Sequence, residues 1–521
     1  MTKLQTIYVL SALIGLGAVA IAYFLPVYPY TPDSACYIEQ ARSLLARGVF
    51  ESALYGPDRP SVTFVPDPLF PPGYPILIAI FSLLLHVPPE LVALLLGLSA
   101  LALIPACLVL SFRKIVGAEQ ALVIAVLVVL TPAIIRWGNV ASTDILSVLV
   151  VIFCMGLILK AGDSLIAWFV AGLFVGFAYL LRNANLAFVL SIGGFMAWTI
   201  LFPDGHQADE RKQNRWKNFT IACVWLAGCL ILVVPWMIRN FLVFGKVQPY
   251  SMPPSSVGVI ENIHAFIQAQ LYILTPFEGL SSYFARALPG LLVLLIVLGL
   301  LVYQVLKTWK HWPKPDKDAF LISVFYAMLG AAIVIAARSK YQWGELISER
   351  HALPYLFALL VALALILKNT VVKINTQLGL ALASCLLLTR IYQIPTLYEY
   401  NFYNANVVAV AEYIEKNKHT DPLCTQLNGR LGVSNYGFVY RVICAVPVSH
   451  VFPILHGNDF KDEPLKKLLT LPAKNGILVS IFPNHDVDKK DLPLNETYLD
   501  HLGASGWRVE QNGEMGFVLS R

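Results

Sequence analysis

The chain alternates long apolar stretches with short polar breaks. A membrane-crossing helix needs about 20 mostly apolar residues. Eleven stretches meet that pattern, at about 5–25, 90–112, 119–136, 143–160, 164–181, 184–202, 219–237, 289–306, 319–337, 352–367 and 376–394. The apolar run 74–87 is too short to cross and reads as an interfacial or re-entrant helix. Residues 33–47 form an amphipathic helix pattern that stops at Gly48, with Arg42 and Arg47 suited to headgroups and Leu44 and Leu45 to the bilayer. Past residue 400 the pattern changes. A helix is predicted over 407–416, and strand-like runs follow at 422–427, 438–447, 476–482 and 515–519, with a helical stretch at 463–470. The fold class is therefore an all-α polytopic membrane bundle, residues 1–398, followed by a small C-terminal α/β domain, residues 399–521.

Composition supports this division. Of 521 residues, 57% are hydrophobic and 13% charged, against about 25% charged in soluble domains. With a mean hydropathy of +0.66, a soluble enzyme, a disordered chain and a disulfide scaffold are excluded. Residues 401–521 hold 12 Lys+Arg and 13 Asp+Glu, leaving 26 and 19 for the first 400. The membrane part is thus net positive, and the position of that charge predicts orientation. With Lys3 inside, the inside loops hold Arg113, Lys114, Lys160, Arg211, Lys212, Arg215, Lys217, Lys307, Lys310, Lys314, Lys317, Lys368 and Lys373. The N-terminus is then in the cytoplasm, and an odd number of spans puts the C-terminal domain outside. Ala18-Val19-Ala20 imitates a signal-peptidase site, but ten further spans favour an uncleaved anchor. Cys424 and Cys444 share the outer domain and can pair if that compartment is oxidising.

Three outside loops, about 26–73, 238–288 and 338–351, are long for a simple bundle, and long loops between packed spans tend to carry function. In the first, Thr31-Pro32-Asp33 combines a cap residue, a proline suited to the first helical turn and an acid where the helix dipole favours it. Asp33 either merely stabilises a helix start or is a carboxylate at the membrane surface able to take a proton from a hydroxyl. Ser142-Thr143-Asp144 repeats the arrangement at the outer end of the fourth span. A shared catalytic or metal role for the two acids is open. Basic residues stand at outer span ends, where the positive-inside rule does not place them. Arg182, Arg239, Lys340 and Arg350, with His351, are the candidates for binding a phosphorylated donor, since guanidinium forks suit phosphate oxygens. The alternative for each is snorkelling to headgroups. No zinc spacing, phosphate loop or nucleophile elbow is present, and nothing suggests nucleic acid.

The order of these motifs resembles a known group. After the first span come Asp33 to Gly48, then Pro71-Pro72-Gly73-Tyr74-Pro75, Ser142-Thr143-Asp144, Leu181-Arg182, Pro235-Trp236-Met237-Ile238-Arg239-Asn240 and Arg350-His351-Ala352-Leu353-Pro354. Over residues 1–370 this resembles the GT-C membrane glycosyltransferases, in particular bacterial members similar to protein O-mannosyltransferases and lipid A aminoarabinose transferases. The resemblance implies a multi-pass inner or plasma membrane protein of a prokaryote. It implies a polyprenyl-phosphate sugar donor used on the outer face, an envelope acceptor, Asp33 as catalytic carboxylate and Asp144 as the second outer acid. A divalent cation held by Asp33 and Asp144 is left open. Two positions depart from the pattern. Asp33 is followed by Ser34 rather than Glu, which argues against a protein acceptor, and Phe70 rather than Lys precedes Pro71-Pro72. The competing expectations are a flippase for lipid-linked glycans or a non-catalytic assembly subunit, neither of which needs Asp33.

Overall fold

The structure, a computed structural model, describes residues 2–53, 64–203, 207–250, 254–275, 278–341, 347–369, 376–398, 402–425, 431–434, 437–446, 448–450, 477–481, 508–513 and 516–520. The first helix, α1 (Lys3–Tyr23), starts at a Thr2–Gln5 capping box. Helix α2 (Pro32–Arg47) follows, and then a short hairpin, β1 (Glu51–Ala53) and β2 (Phe64–Pro66), with Glu51 opposite Pro66. Helix α3 (Gly73–Leu85) is the short apolar helix expected at 74–87; at 13 residues it cannot cross a bilayer. Then come α4 (Pro89–Phe112), α5 (Ala118–Val129), α6 (Pro132–Gly138), α7 (Asp144–Ala161), α8 (Leu165–Leu181), α9 (Leu186–Leu201) and α10 (Ala208–Phe244). The second long loop holds α11 (Val259–Leu274) and α12 (Glu278–Arg286), ahead of α13 (Leu288–Thr308) and α14 (Lys314–Lys340). Helices α15 (Glu349–Ala352) and α16 (Leu356–Asn369) are joined by one 3-10 turn, and α17 (Thr376–Gln393) closes the bundle.

All eleven predicted segments are helical. Among the described residues, eight helices are long and apolar enough to cross a membrane. The pair α5 and α6, bent by 67° at Leu130–Thr131, makes a ninth if it is counted as one span. Pro132 removes a backbone donor there and restricts the residue before it. Arg390, fully buried on α17, fills the gap. Its guanidinium donates to the carbonyls of Leu127, Ile273, Leu274 and Leu386 and to Thr131 Oγ1. Helix α8, at 17 residues, lies along α10. Gly172 and Gly176 meet the α10 backbone at Trp225 and Cys229, and Gly228 meets Phe169. This is the small-residue packing that membrane helices use when water supplies no driving force. Leucines such as Leu13, Leu16, Leu84, Leu242 and Leu295 point outward, as a lipid-solvated surface requires.

Polar contacts divide the bundle into two ends. At one, Lys3 pairs with Glu119 at 2.7 Å, Lys217 with Asp163 at 2.5 Å and Lys368 with Asp316 at 2.9 Å. These are the loops the sequence assigned inside. At the other end lie α2, the β1–β2 hairpin, α15 and the starts or ends of α7, α8 and α16.

The C-terminal part contains α18 (Phe402–Asn417), α19 (Pro422–Thr425), β3 (Leu431–Ser434), α20 (Gly437–Ile443), β4 (Val448–His450), β5 (Ile477–Ile481), β6 (Arg508–Gly513) and β7 (Gly516–Ser520). The strands form one sheet in the order β4-β3-β5-β7-β6, with β3 parallel to both its neighbours and β6–β7 an antiparallel hairpin. The expected helix at 407–416 and the strands at 476–482 and 515–519 are present; 463–470 lies outside the described residues. Two expectations are corrected. Residues 422–425 of the strand-like run 422–427 are helical, because Asp421 accepts from Leu423 N at 2.8 Å and Pro422 suits a first turn. The 438–447 run is helical over 437–443, because Gly437 to Val442 are buried all round, and periodicity cannot separate such a run from a strand. Cys424 and Cys444 form a disulfide.

Candidate active site

The site assembles from four chain segments that converge at one end of the bundle. The first is the start of α2. Thr31 caps it, accepting from Ser34 N while Ser34 Oγ accepts from Thr31 N, and Pro32 occupies the first turn. This capping fixes Asp33 on the exposed side of that turn. The second segment is the loop into α7. Ala141 N donates to Pro29 O at 2.8 Å, so the two acid-bearing loops are tied together. Asp144 then opens α7 with its side chain fully buried.

The third and fourth segments supply guanidinium groups. Arg182, at the end of α8, meets Asp144 Oδ1 through Nη1 at 2.6 Å, a charge contact out of line for a hydrogen bond. Arg350, on α15, donates through Nε to Asp144 Oδ2 at 3.0 Å and through Nη2 to Asp33 Oδ2 at 2.7 Å. Trp137 of α6 lies under Arg350, 4.6 Å from guanidinium carbon to ring centre. Beside it Arg136 pairs with Glu349 at 3.6 Å. The corner after α8 is fixed by Asn185, which donates to Ala178 O at 2.7 Å and to Ser147 Oγ at 2.8 Å. Two carboxylates and two guanidiniums thus balance in charge, as buried ionisable groups must.

The two acids differ in access. Asp144 is sealed and serves to hold Arg182 and Arg350. The Asp33 side chain is 34% exposed, and among the described residues its Oδ1 makes no hydrogen bond or ion pair. It is the carboxylate with an oxygen free to accept a proton. Burial pushes the nearby Cys36 thiol up to about 12, against the opposing pull of Arg441, which disfavours its thiolate form.

The other candidates stand apart. Arg239 lies between the rings of Trp236 and Phe244, at 4.7 and 5.2 Å, and donates to Phe50 O at 3.3 Å and Asn240 Oδ1 at 3.0 Å. It braces the first outer loop. Lys340 sits over Tyr341 at 5.1 Å. His351 is adjacent to the cluster in sequence, but its Nδ1 accepts from Ser348 N at 3.2 Å and caps α15. For a divalent cation, Asp33 and Asp144 are a poor donor set. Both are engaged by Arg350, and no group of three or more His, Cys, Asp or Glu is assembled among the described residues.

Sequence reasoning missed Asp67, which is buried and accepts from Gln40 Nε2 at 3.0 Å, Ser52 Oγ at 2.6 Å and Leu69 N at 2.7 Å. Its signal was the Pro66-Asp67-Pro68 turn, where Asp bonds its own backbone two residues on. It also missed Trp137, Glu39 and Arg441, whose partners are distant in the chain.

No protein-family profile matches the sequence, and no curated protein matches it. Solved structures do. ArnT from Cupriavidus metallidurans bound to undecaprenyl phosphate is 13% identical, with a TM-score of 0.56, over 98% of this chain and 97% of that one. The oligosaccharyltransferase AglB from Archaeoglobus fulgidus, in complex with an inhibitory peptide and a dolichol-phosphate, is 12% identical with a TM-score of 0.54, over 92% of this chain and 69% of that one. The chain therefore shares its fold with these two proteins.

Proposed function

We propose that this protein is a glycosyltransferase that moves a sugar from a polyprenyl-phosphate donor to an envelope acceptor on the outer face of the membrane, with inversion. The observation that carries the reading is the division of labour between two acids at one bundle end. Asp144 is buried and neutralised by two guanidiniums, while Asp33 keeps an accessible oxygen at the same end of the bundle. Two proteins of this fold have lipid phosphates bound, undecaprenyl phosphate in ArnT and a dolichol-phosphate in AglB, which supports a lipid-phosphate donor here.

In the proposed step, Asp33 Oδ1 takes the proton of an acceptor hydroxyl. The hydroxyl oxygen attacks the anomeric carbon from the face opposite the phosphate. The bond from that carbon to phosphate oxygen breaks, and polyprenyl phosphate leaves with the electron pair. A single displacement inverts the anomeric centre. Arg350, stacked on Trp137 and aimed by Asp144, is the cation best placed to offset charge developing on the leaving phosphate. The outer location is supported by the basic residues gathered at the opposite end and by the Cys424–Cys444 bridge, which suits an oxidising compartment. The transferred sugar is a hexose or pentose, and the acceptor is a lipid, glycan or protein. Ser34 after Asp33 favours the first two.

The test is Asp33→Asn. Mass spectrometry of envelope glycolipids and glycoproteins should show the product lost in cells carrying the variant at normal abundance, with undecaprenyl-phosphate binding retained. Product formed at the wild-type level would sink the enzyme reading in favour of a flippase or an assembly subunit.

A further inference from the structure

We propose that the C-terminal part of the chain sets the position of Asp33 through a buried ion pair between Glu39 and Arg441, making both positioning residues. This rests on Asp33 being the base.

Asp33 and Glu39 share α2, six residues apart, about 9 Å along the axis. Whatever fixes the rotation and depth of α2 at Glu39 fixes where Asp33 points. Arg441 Nε and Nη2 donate to the two oxygens of Glu39, a two-pronged contact. Both side chains are removed from water, at 4% exposure for Glu39 and 1% for Arg441. Arg441 Nη2 also reaches Cys36 Sγ at 3.5 Å, one turn back toward Asp33. A second bond runs the other way. Arg42 donates to the carbonyls of Arg441 at 2.9 Å and Val442 at 3.0 Å, at the C-terminal end of α20, where a cation is favoured. The same guanidinium holds Glu90 of α4 at 3.0 Å, so α2 is gripped between α20 and the bundle.

The clamp is itself braced. Cys444, just past α20, is tied to Cys424, and Tyr440 donates to Asp421 Oδ2 at 3.1 Å. Phe438 packs on Tyr28 in the loop that leads into α2. A buried ion pair contributes little net stability over an apolar pair of the same shape, but it tolerates only one geometry. What the pair supplies here is register: α2 cannot rotate or slide without separating a desolvated carboxylate from its fork.

The experiment uses the full-length chain and three readouts: hydrogen exchange of residues 32–47, binding of undecaprenyl phosphate, and product per molecule by mass spectrometry. Arg441→Met is expected to raise exchange across 32–47, lower product at least tenfold and leave undecaprenyl-phosphate binding within threefold. Arg441→Lys, which keeps the charge but not the fork, should fall between. The swapped pair Glu39→Arg with Arg441→Glu should recover exchange protection and most of the product. If Arg441→Met does not fold, Arg441→Lys and the swapped pair decide. Wild-type exchange and product in Arg441→Lys, or a swapped pair that recovers neither, would overturn the proposal. Asp33→Asn with undiminished product would instead remove the base assignment, while the exchange readout would still report whether α20 holds α2.

Discussion

Asp33 and Asp144 look alike in the sequence, each an acid just after a Ser or Thr cap at the head of a helix. Their surroundings separate them. Asp144 is fully buried between Arg182 and Arg350, whereas among the described residues Asp33 pairs with Arg350 alone and stays partly in water. Removing one member of a buried charge set leaves its partners uncompensated, at a cost of about 3–5 kcal/mol. Asp144→Asn should therefore lower the thermal midpoint of the purified protein clearly and abolish product as well. Asp33→Asn should abolish product with little change in midpoint. Equal melting of the two variants would contradict this division. The candidate residues were legible because acids and outer arginines are conspicuous in so apolar a chain. Their roles were not, since Arg350 reaches Asp33 across 317 positions. Asp67, Glu39 and Arg441 went unmarked because each looks ordinary until its partner arrives.

Among the elements, helices were the most legible, because a hydrocarbon environment forces every backbone donor and acceptor to be satisfied within the segment. Their irregularities were less so. The apolar run 119–136 predicts one span, whereas the structure bends it by 67° between α5 and α6, just before Pro132. The bend carries Trp137 beneath Arg350, and Arg390 stabilises it from α17. In the C-terminal part, short apolar runs at 422–427 and 438–447 read as strands and fold as helices where described, because their length and composition suit either state until burial decides. The α8–α10 contact gives a test of packing. A Cβ on Gly172 would stand 2.1 Å from Trp225 O, whereas nothing lies within 4 Å of a Cβ on Gly193. Gly172→Val should lower the melting midpoint and, because α8 ends at Arg182, reduce product too; Gly193→Val should do neither. Melting curves of both variants in one detergent would check this, and equal curves would contradict the close approach.

For the whole molecule, charge is sorted between the two ends of the helical bundle. Lysines paired with Glu119, Asp163 and Asp316 gather at one end, and the Asp33–Arg350–Asp144–Arg182 cluster stands at the other. If the lysine end faces the cytoplasm, a membrane-impermeant maleimide added to intact cells should label Lys246→Cys and not Lys310→Cys, in a chain carrying Cys223→Ala and Cys385→Ala. The reverse pattern would invert the topology. By itself, the sequence determined what depends on local composition: a polytopic helical bundle, the positions of its apolar helices (eight of them, or nine with the bent pair, long and apolar enough to cross among the described residues), the charge asymmetry that predicts orientation, and a short roster of acids and arginines. Only the tertiary structure decided which of them meet. One guanidinium bridges two acids, one of those acids is sealed while the other stays accessible, and a C-terminal helix grips the helix that bears it. The reason is physical: burial and desolvation belong to the packed whole, and every contact that sets them joins residues that local sequence leaves unrelated.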